Sequence, residues 1–290
     1  YWVLIRRWGG RRCWLAALLA LAFAFNGLAI ACGRNPHFEP LLVGFAMMFL
    51  VALTAERSVI AKVAFLACVA TREDAGFHLF AVLAVWVVVD RLRGRPLSWC
   101  DRRVRYALAA FLCSIAALCV QKFVVGGSNS FSRVYVGDPL YAHLTWNSVS
   151  ERIAYILVAR PYLVLPPLAA AAWAIARRDP FPVLGFVAYG PWIALHVLAV
   201  GDIPGTLANY YPFPTLIGMF WPLLAPRDKA TPWLVLAMVA LSWMGLDRQH
   251  NPGGIDIPGS FARVPSLSMQ RDTDRAVEQL VHAPALGRII

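Results

Sequence analysis

The chain has 290 residues, of which 59% are hydrophobic and 15% charged, with a mean hydropathy of +0.59 and a net charge of +11. This composition excludes a disordered chain and argues against an ordinary water-soluble domain. Eleven Trp and sixteen Phe fit the aromatic belts of a membrane protein.

In chain order, apolar runs fall at 13–32, 41–55, 58–70, 75–89, 106–125, 153–176, 183–201, 211–225 and 231–246. About 20 apolar residues cross a bilayer core, so the runs predict an all-α, polytopic transmembrane helix bundle of about nine spans. Three of them, 41–55, 58–70 and 75–89, are short and must borrow flanking polar residues or be shielded by neighbours. The opening "YWVLI", followed by the basic "RRWGG", reads as the end of an earlier helix, so upstream helices are expected. Residues 1–246 form the expected transmembrane domain. Residues 247–290 form a polar tail with a short amphipathic helix at 273–282, carrying Ala276, Val277, Leu280 and Val281 on one side and ended by Pro284.

The basic residues set the orientation. They concentrate in "RRWGGRR", "ERSVIAK", "DRLRGRPLSWCDRRVR", "RRDPFP" and "PRDK". The alternate loops hold only Arg34, Arg72, Arg133 and Arg152. The positive-inside bias places the first group in the cytoplasm and the tail outside. The charge is then a topology signal, and a nucleic-acid partner has little support. Six Cys match no zinc spacing. Cys32 and Cys68 fall near the same outer face, which makes a disulfide between them a candidate.

The unusual polar stretches share that outer side: "GRNPHFEP" (33–40), "TREDAG" (71–76), 126–152 and "GDIPGTLANYYPFP" (201–214). Thr71 and Asp74 have capping-box spacing for a helix starting near Ala75, and acids suit a helix N-terminus. Glu73 and Asp74 also read as an acidic pair able to act as general base or to hold a divalent metal, Mg or Mn. The two readings coexist if Asp74 caps and Glu73 stays free. His37 and Glu39, two residues apart, belong to the same outer set. Arg160 lies inside the run 153–176, roughly 10 Å deep at 1.5 Å per residue, beside Pro161. It reads either as a snorkelling cation or as a grip for a lipid phosphate. Tyr210 and Tyr211 are either aromatic belt or a sugar-stacking pair. Asp138 and His143 lie in the longest outer loop, where function is common. No glycine-rich phosphate loop, nucleophile elbow or H-E-x-x-H is present.

The triplet in "TREDAG", the preceding "NPHFEP" and, more weakly, "NYYPFP" together resemble a bacterial group of multi-pass proteins akin to the GT-C superfamily of membrane glycosyltransferases. The resemblance covers about 30–225. It implies an integral inner-membrane enzyme moving a hexosyl or pentosyl group, with inversion, from a polyprenyl-phosphate-linked sugar to an acceptor on the outer face. It implies membrane lipid and the lipid-linked donor as partners. Glu73, Asp74, His37 and Glu39 would be catalytic. Arg72, Arg160, Tyr210, Tyr211, His143 and Asp138 would bind substrate. Here the loop reads His-Phe-Glu-Pro, with its His and acid placed differently from the commoner pattern. The superfamily's key acid usually lies in an upstream outer loop that this sequence does not contain. Two other classes compete: a transporter or flippase for a lipid-linked or anionic substrate, and a non-catalytic membrane scaffold in which the acids cap a helix. A transporter would place ionisable residues near the midplane and carry paired repeats. The acids cluster instead at the boundary, and no repeat is visible.

Overall fold

A computed structural model describes residues 13–33, 39–94, 96, 98–124, 132–208, 211–224, 231–244 and 275. Among the described residues every regular element is a helix and none is a strand. In chain order they are α1 (Cys13–Ala24), α2 (Gly27–Gly33), α3 (Glu39–Thr54), α4 (Ser58–Val69), α5 (Ala75–Leu92) and α6 (Arg102–Phe123), then a π-helical turn (Ser132–Val136). The second half holds α7 (Trp146–Ala159), α8 (Pro161–Arg177), α9 (Leu184–Val187), α10 (Gly190–Val197), α11 (Asp202–Gly205), α12 (Thr215–Phe220) and α13 (Thr231–Leu241), with 3-10 turns at Phe181–Val183 and Trp221–Leu224.

The apolar runs do not become nine spans. Among the described residues two helices, α5 and α6, are long and apolar enough to cross a membrane, or three if the bent pair α7–α8 counts as one. The reason lies in the breakers inside the runs. Asn26 divides the first run: its side-chain oxygen accepts from Ala29 N at 2.8 Å and its amide nitrogen donates back to Phe23 O at 3.0 Å, ending α1 and starting α2. Pro161 lacks an N–H, and α7 and α8 meet there at 81°. Gly190 and Pro191 interrupt 183–201, and Pro212, Pro214 and Pro222 interrupt 211–225. The run 58–70 gives a helix of 12 residues, about 18 Å long against a hydrocarbon core of about 30 Å. The predicted nine-span, GT-C-like transmembrane bundle is therefore corrected, for the described residues, to an assembly of short and medium helices around a common core. The multi-pass inner-membrane placement and the membrane-lipid and polyprenyl-phosphate partners rested on those spans, and they lose their basis with them. The expected tail helix lies outside the described residues. Cys68 is a free, buried thiol, so the candidate disulfide is not formed; burial pushes its pKa up to about 12.

Aromatic rings join helices within the first half and tie that half to the second. Phe49 of α3, Phe65 of α4 and Tyr106 of α6 meet with centroids 5.0–5.7 Å apart. Trp86 of α5 meets Trp221 edge-on at 5.1 Å, and Trp221 meets Phe181 at 5.4 Å. At this end of α5, Arg103 pairs with the buried Asp90 and lies 5.2 Å from the Trp86 ring. Asp101 caps α6 by accepting from Arg103 N at 2.8 Å. The hydrogen bonds from the Arg103 side chain hold the Asp101 carboxyl below its ordinary pKa. Arg93 pairs with Asp179, tying the same end to the loop after α8.

At its other end α5 lies against α6 with almost no space between backbones. A Cβ on Gly76 would stand 2.0 Å from Ala110 O and 2.7 Å from Ser114 Oγ. Ala107, Ala110 and Ser114 form the buried face of α6 there, a small-residue surface that allows the close approach. Gly44 in α3 is the opposite case, with nothing within 4 Å of its missing Cβ. Gly76→Ala should therefore destabilise the protein by about 1–3 kcal/mol through overpacking. Gly44→Ala should stabilise it by about 0.5–1 kcal/mol through helix propensity. Denaturant unfolding of the two variants beside the parent checks both signs.

Candidate functional site

The chain turns into α5 at Thr71–Asp74, and the turn is not a capping box. Asp74 is the N-cap residue, yet its side chain makes no capping bond. The Thr71 hydroxyl donates back to Ala67 O at 3.0 Å. The acids are held instead by a cation: Arg72 Nε lies 3.0 Å from Asp74 Oδ1 and 3.8 Å from Glu73 Oε1. Freed from capping, both carboxylates and Arg72 line a cavity of 470 Å³, a size typical of small-molecule sites.

Four parts of the chain close that cavity. The first turn of α5 gives Phe77 and His78, and the last turns of α6 give Leu118 and Gln121. The π-helical turn gives Val134 and Tyr135, and residues 188–195 with Tyr211 complete the wall. His78 follows Asp74 by four residues, so both lie on one helix face. The His78 ring is 3% exposed and packs against Trp192 at 4.4 Å and Phe213 at 5.1 Å. Its Nε2 stands 4.0 Å from Asp74 Oδ2, beyond hydrogen-bond reach, and has no hydrogen-bond partner. A buried polar atom without a partner is costly, and here it sits beside a carboxylate at a cavity wall.

His196 stands one turn after Trp192 on α10 and is fully buried. Its Nδ1 is 2.9 Å from Trp192 O, and its Nε2 is 3.1 Å from the Tyr135 hydroxyl. A carbonyl can only accept, so Nδ1 carries the proton, Nε2 accepts, and the Tyr135 O–H donates. Burial holds His196 neutral by lowering its pKa to about 4. Burial likewise raises Tyr135 to about 12, which keeps the phenol protonated. Trp192 Nε1 donates to Tyr211 O at 3.3 Å. This chain of bonds fixes the aromatic wall in one arrangement.

The other expected site residues fall differently. Arg160 is 3% exposed and donates to Tyr162 Oη at 3.1 Å and Leu207 O at 2.9 Å. It clamps the α7–α8 bend to the loop after α11 and does not line the cavity. His143 Nε2 donates to Leu198 O at 3.0 Å, away from the cavity. Asp138 is exposed. Tyr211 lines the cavity, whereas Tyr210 and His37 lie outside the described residues, as does the side chain of Glu39. Sequence reasoning missed His78, Tyr135, Trp192 and His196. The spacing of four in Asp74/His78 and in Trp192/His196 was the available signal. Tyr135 had no local signal at all.

A divalent metal does not fit these residues. Among the described residues no three His, Cys, Asp or Glu side chains gather as a metal site. Arg72 already occupies the side of Asp74 and Glu73 where a cation would stand. With too few spans and no ligand cluster among the described residues, membrane glycosyl transfer from a polyprenyl-phosphate donor is corrected as well.

The neutral His196 makes stability depend on pH. Its folded pKa of about 4 lies below the ordinary 6.5, so the unfolded chain binds the extra proton first as pH falls. The stability that a neutral His196 contributes is fully present above about pH 6.5 and is lost progressively down to about pH 4. His196→Gln should make the fall in Tm across this window shallower than in the parent. Equal slopes would show that His196 charges freely in the folded state.

No protein family, curated protein or solved structure matches the chain, so the resemblance to the GT-C superfamily finds no support there, and the site stands on its own geometry.

Proposed function

We propose that the Arg72–Asp74 cavity is the active site of an enzyme that transfers a group to or from a hydroxyl of a sugar-like ring. The observation that carries this reading is the meeting of an Arg–carboxylate cluster, a buried unpaired His78 Nε2 and an aromatic wall around one cavity. Aromatic faces stack on the apolar face of a ring, while carboxylates and a guanidinium take its hydroxyls. Glu73 is the base. Its side chain is 38% exposed, whereas Asp74 is 16% exposed and closer to Arg72. The Glu73 carboxylate takes the proton of the attacking hydroxyl, whose oxygen bonds to the carbon being transferred. The bond to the leaving group breaks, and Arg72 stabilises the departing anion. Inverting glycosyl transfer is one reaction of this form, and no lipid-linked donor enters it.

Binding is read by quenching of tryptophan fluorescence with free monosaccharides and a nucleoside-diphosphate sugar. Turnover is read by release of the nucleotide. Glu73→Gln is nearly isosteric at a partly exposed position, so Tm and binding should stay within error of the parent. Turnover should fall by ~10²–10⁴, the usual contribution of a general base. Full turnover in this variant, or no saturable response to any saccharide, contradicts the reading.

A further inference from the structure

A second cavity, of 430 Å³, lies between the starts of α4 and α6. Its polar lining is Arg57, Ser58, Lys62, Arg102, Arg105 and Tyr106. No acidic residue lines it. Among the described residues no ion pair or hydrogen bond engages the Arg57, Lys62, Arg102 or Arg105 side chain. Of the two acids adjacent in sequence, Glu56 and Asp101, neither lines the cavity, and Asp101 is held by Arg103.

The placement is electrostatically adverse for an empty cavity. Helix N-termini carry partial positive charge and favour acids, not bases. α4 has no acid in its first turn and no side-chain cap at Arg57, whereas α6 has no acid in its first turn but is capped by Asp101. Four cations therefore share one cavity with the uncapped positive end of α4. The floor is rigid, because the Tyr106 ring is wedged against Phe49 at 5.0 Å and Phe65 at 5.2 Å. A bound polyanion reverses the sign of every one of these interactions.

We propose that this cavity is a binding site for a phosphate-bearing molecule with at least two phosphate groups, separate from the Arg72–Asp74 site. Arginine forks from both helices grip the oxygens, and Lys62 adds a point charge. The same chemistry is offered by a soluble diphosphate and by a lipid phosphate, and the test separates these sources.

The test is calorimetric titration of the full chain with inorganic pyrophosphate at low and high ionic strength, beside flotation with phosphatidylcholine vesicles with or without cardiolipin, a lipid whose headgroup carries two phosphates. Saturable pyrophosphate binding that weakens with salt is expected. Arg57→Gln and Arg102→Gln should each weaken it about tenfold or more, the loss of a charged hydrogen bond. Arg178→Gln, on an exposed residue elsewhere, should leave it unchanged. Because the cations repel one another, the Arg57→Gln/Arg102→Gln double variant should have a higher Tm than the parent without ligand and gain less on adding pyrophosphate. Flotation that needs cardiolipin and is lost in the double variant assigns the phosphates to a lipid headgroup; titration without flotation assigns them to a soluble molecule. Unchanged affinity in the double variant overturns the proposal, as does the absence of both pyrophosphate and vesicle binding. A lower ligand-free Tm in the double variant overturns the electrostatic argument directly.

Discussion

Gly76 meets Ala110 at a distance that no side chain tolerates, with room for a Cβ only 2.0 Å from a carbonyl oxygen. That contact locks the two longest described helices together. It brings the first turn of α5, with Asp74 and His78, beside the last turns of α6, with Leu118 and Gln121. The far end of α5 is fixed separately by Asp90, Arg103 and Trp86. Roughly 18 Å of helix separates His78 from Asp90 at 1.5 Å per residue. The Arg72–Asp74 cavity and the basic cavity both use α6, near its opposite ends, and share no lining residue.

Around that pair the rest of the chain is short because it is broken. Proline, glycine and Asn26 divide the apolar runs, and each break frees backbone groups that need partners. Side chains supply several of these. Arg160 bonds Leu207 O, and Arg152 bonds Val197 O and Ala199 O. Cations that look exposed or lipid-facing in the sequence are in these cases the fasteners of bends and loops. The same logic places Tyr135: it lies on an irregular turn that Val200 N bonds at Val134 O, 2.8 Å away, which carries its hydroxyl to His196.

Much of the helical character was legible from apolar content, and the start of α5 was expected near Ala75, where it falls without the expected capping box. Span count was not legible, since hydropathy reports how apolar a run is and not where its helix ends. The outer loops were grouped by charge, and Arg72, Glu73, Asp74 and Tyr211 do share a cavity. Arg160 misled because depth along a run was taken as depth in a bilayer, when the chain turns by 81° beside it. His78 and His196 carry no motif, and their meaning comes from partners 61 to 135 positions away, such as Tyr135 for His196 and Phe213 for His78. A single sequence does not hold that pairing.

The central claim is that His78 Nε2 waits unpaired beside Asp74 in a ligand cavity. Nitrogen-15 spectra of histidine-labelled protein, recorded while the nucleoside-diphosphate sugar is added, address it most directly. The account predicts that the His78 Nε2 resonance moves saturably as a partner arrives, while His143, bonded to Leu198 O outside the cavity, stays still. A His78 resonance that already reports a strong hydrogen bond without ligand, or that stays fixed while ligand binds, would contradict it.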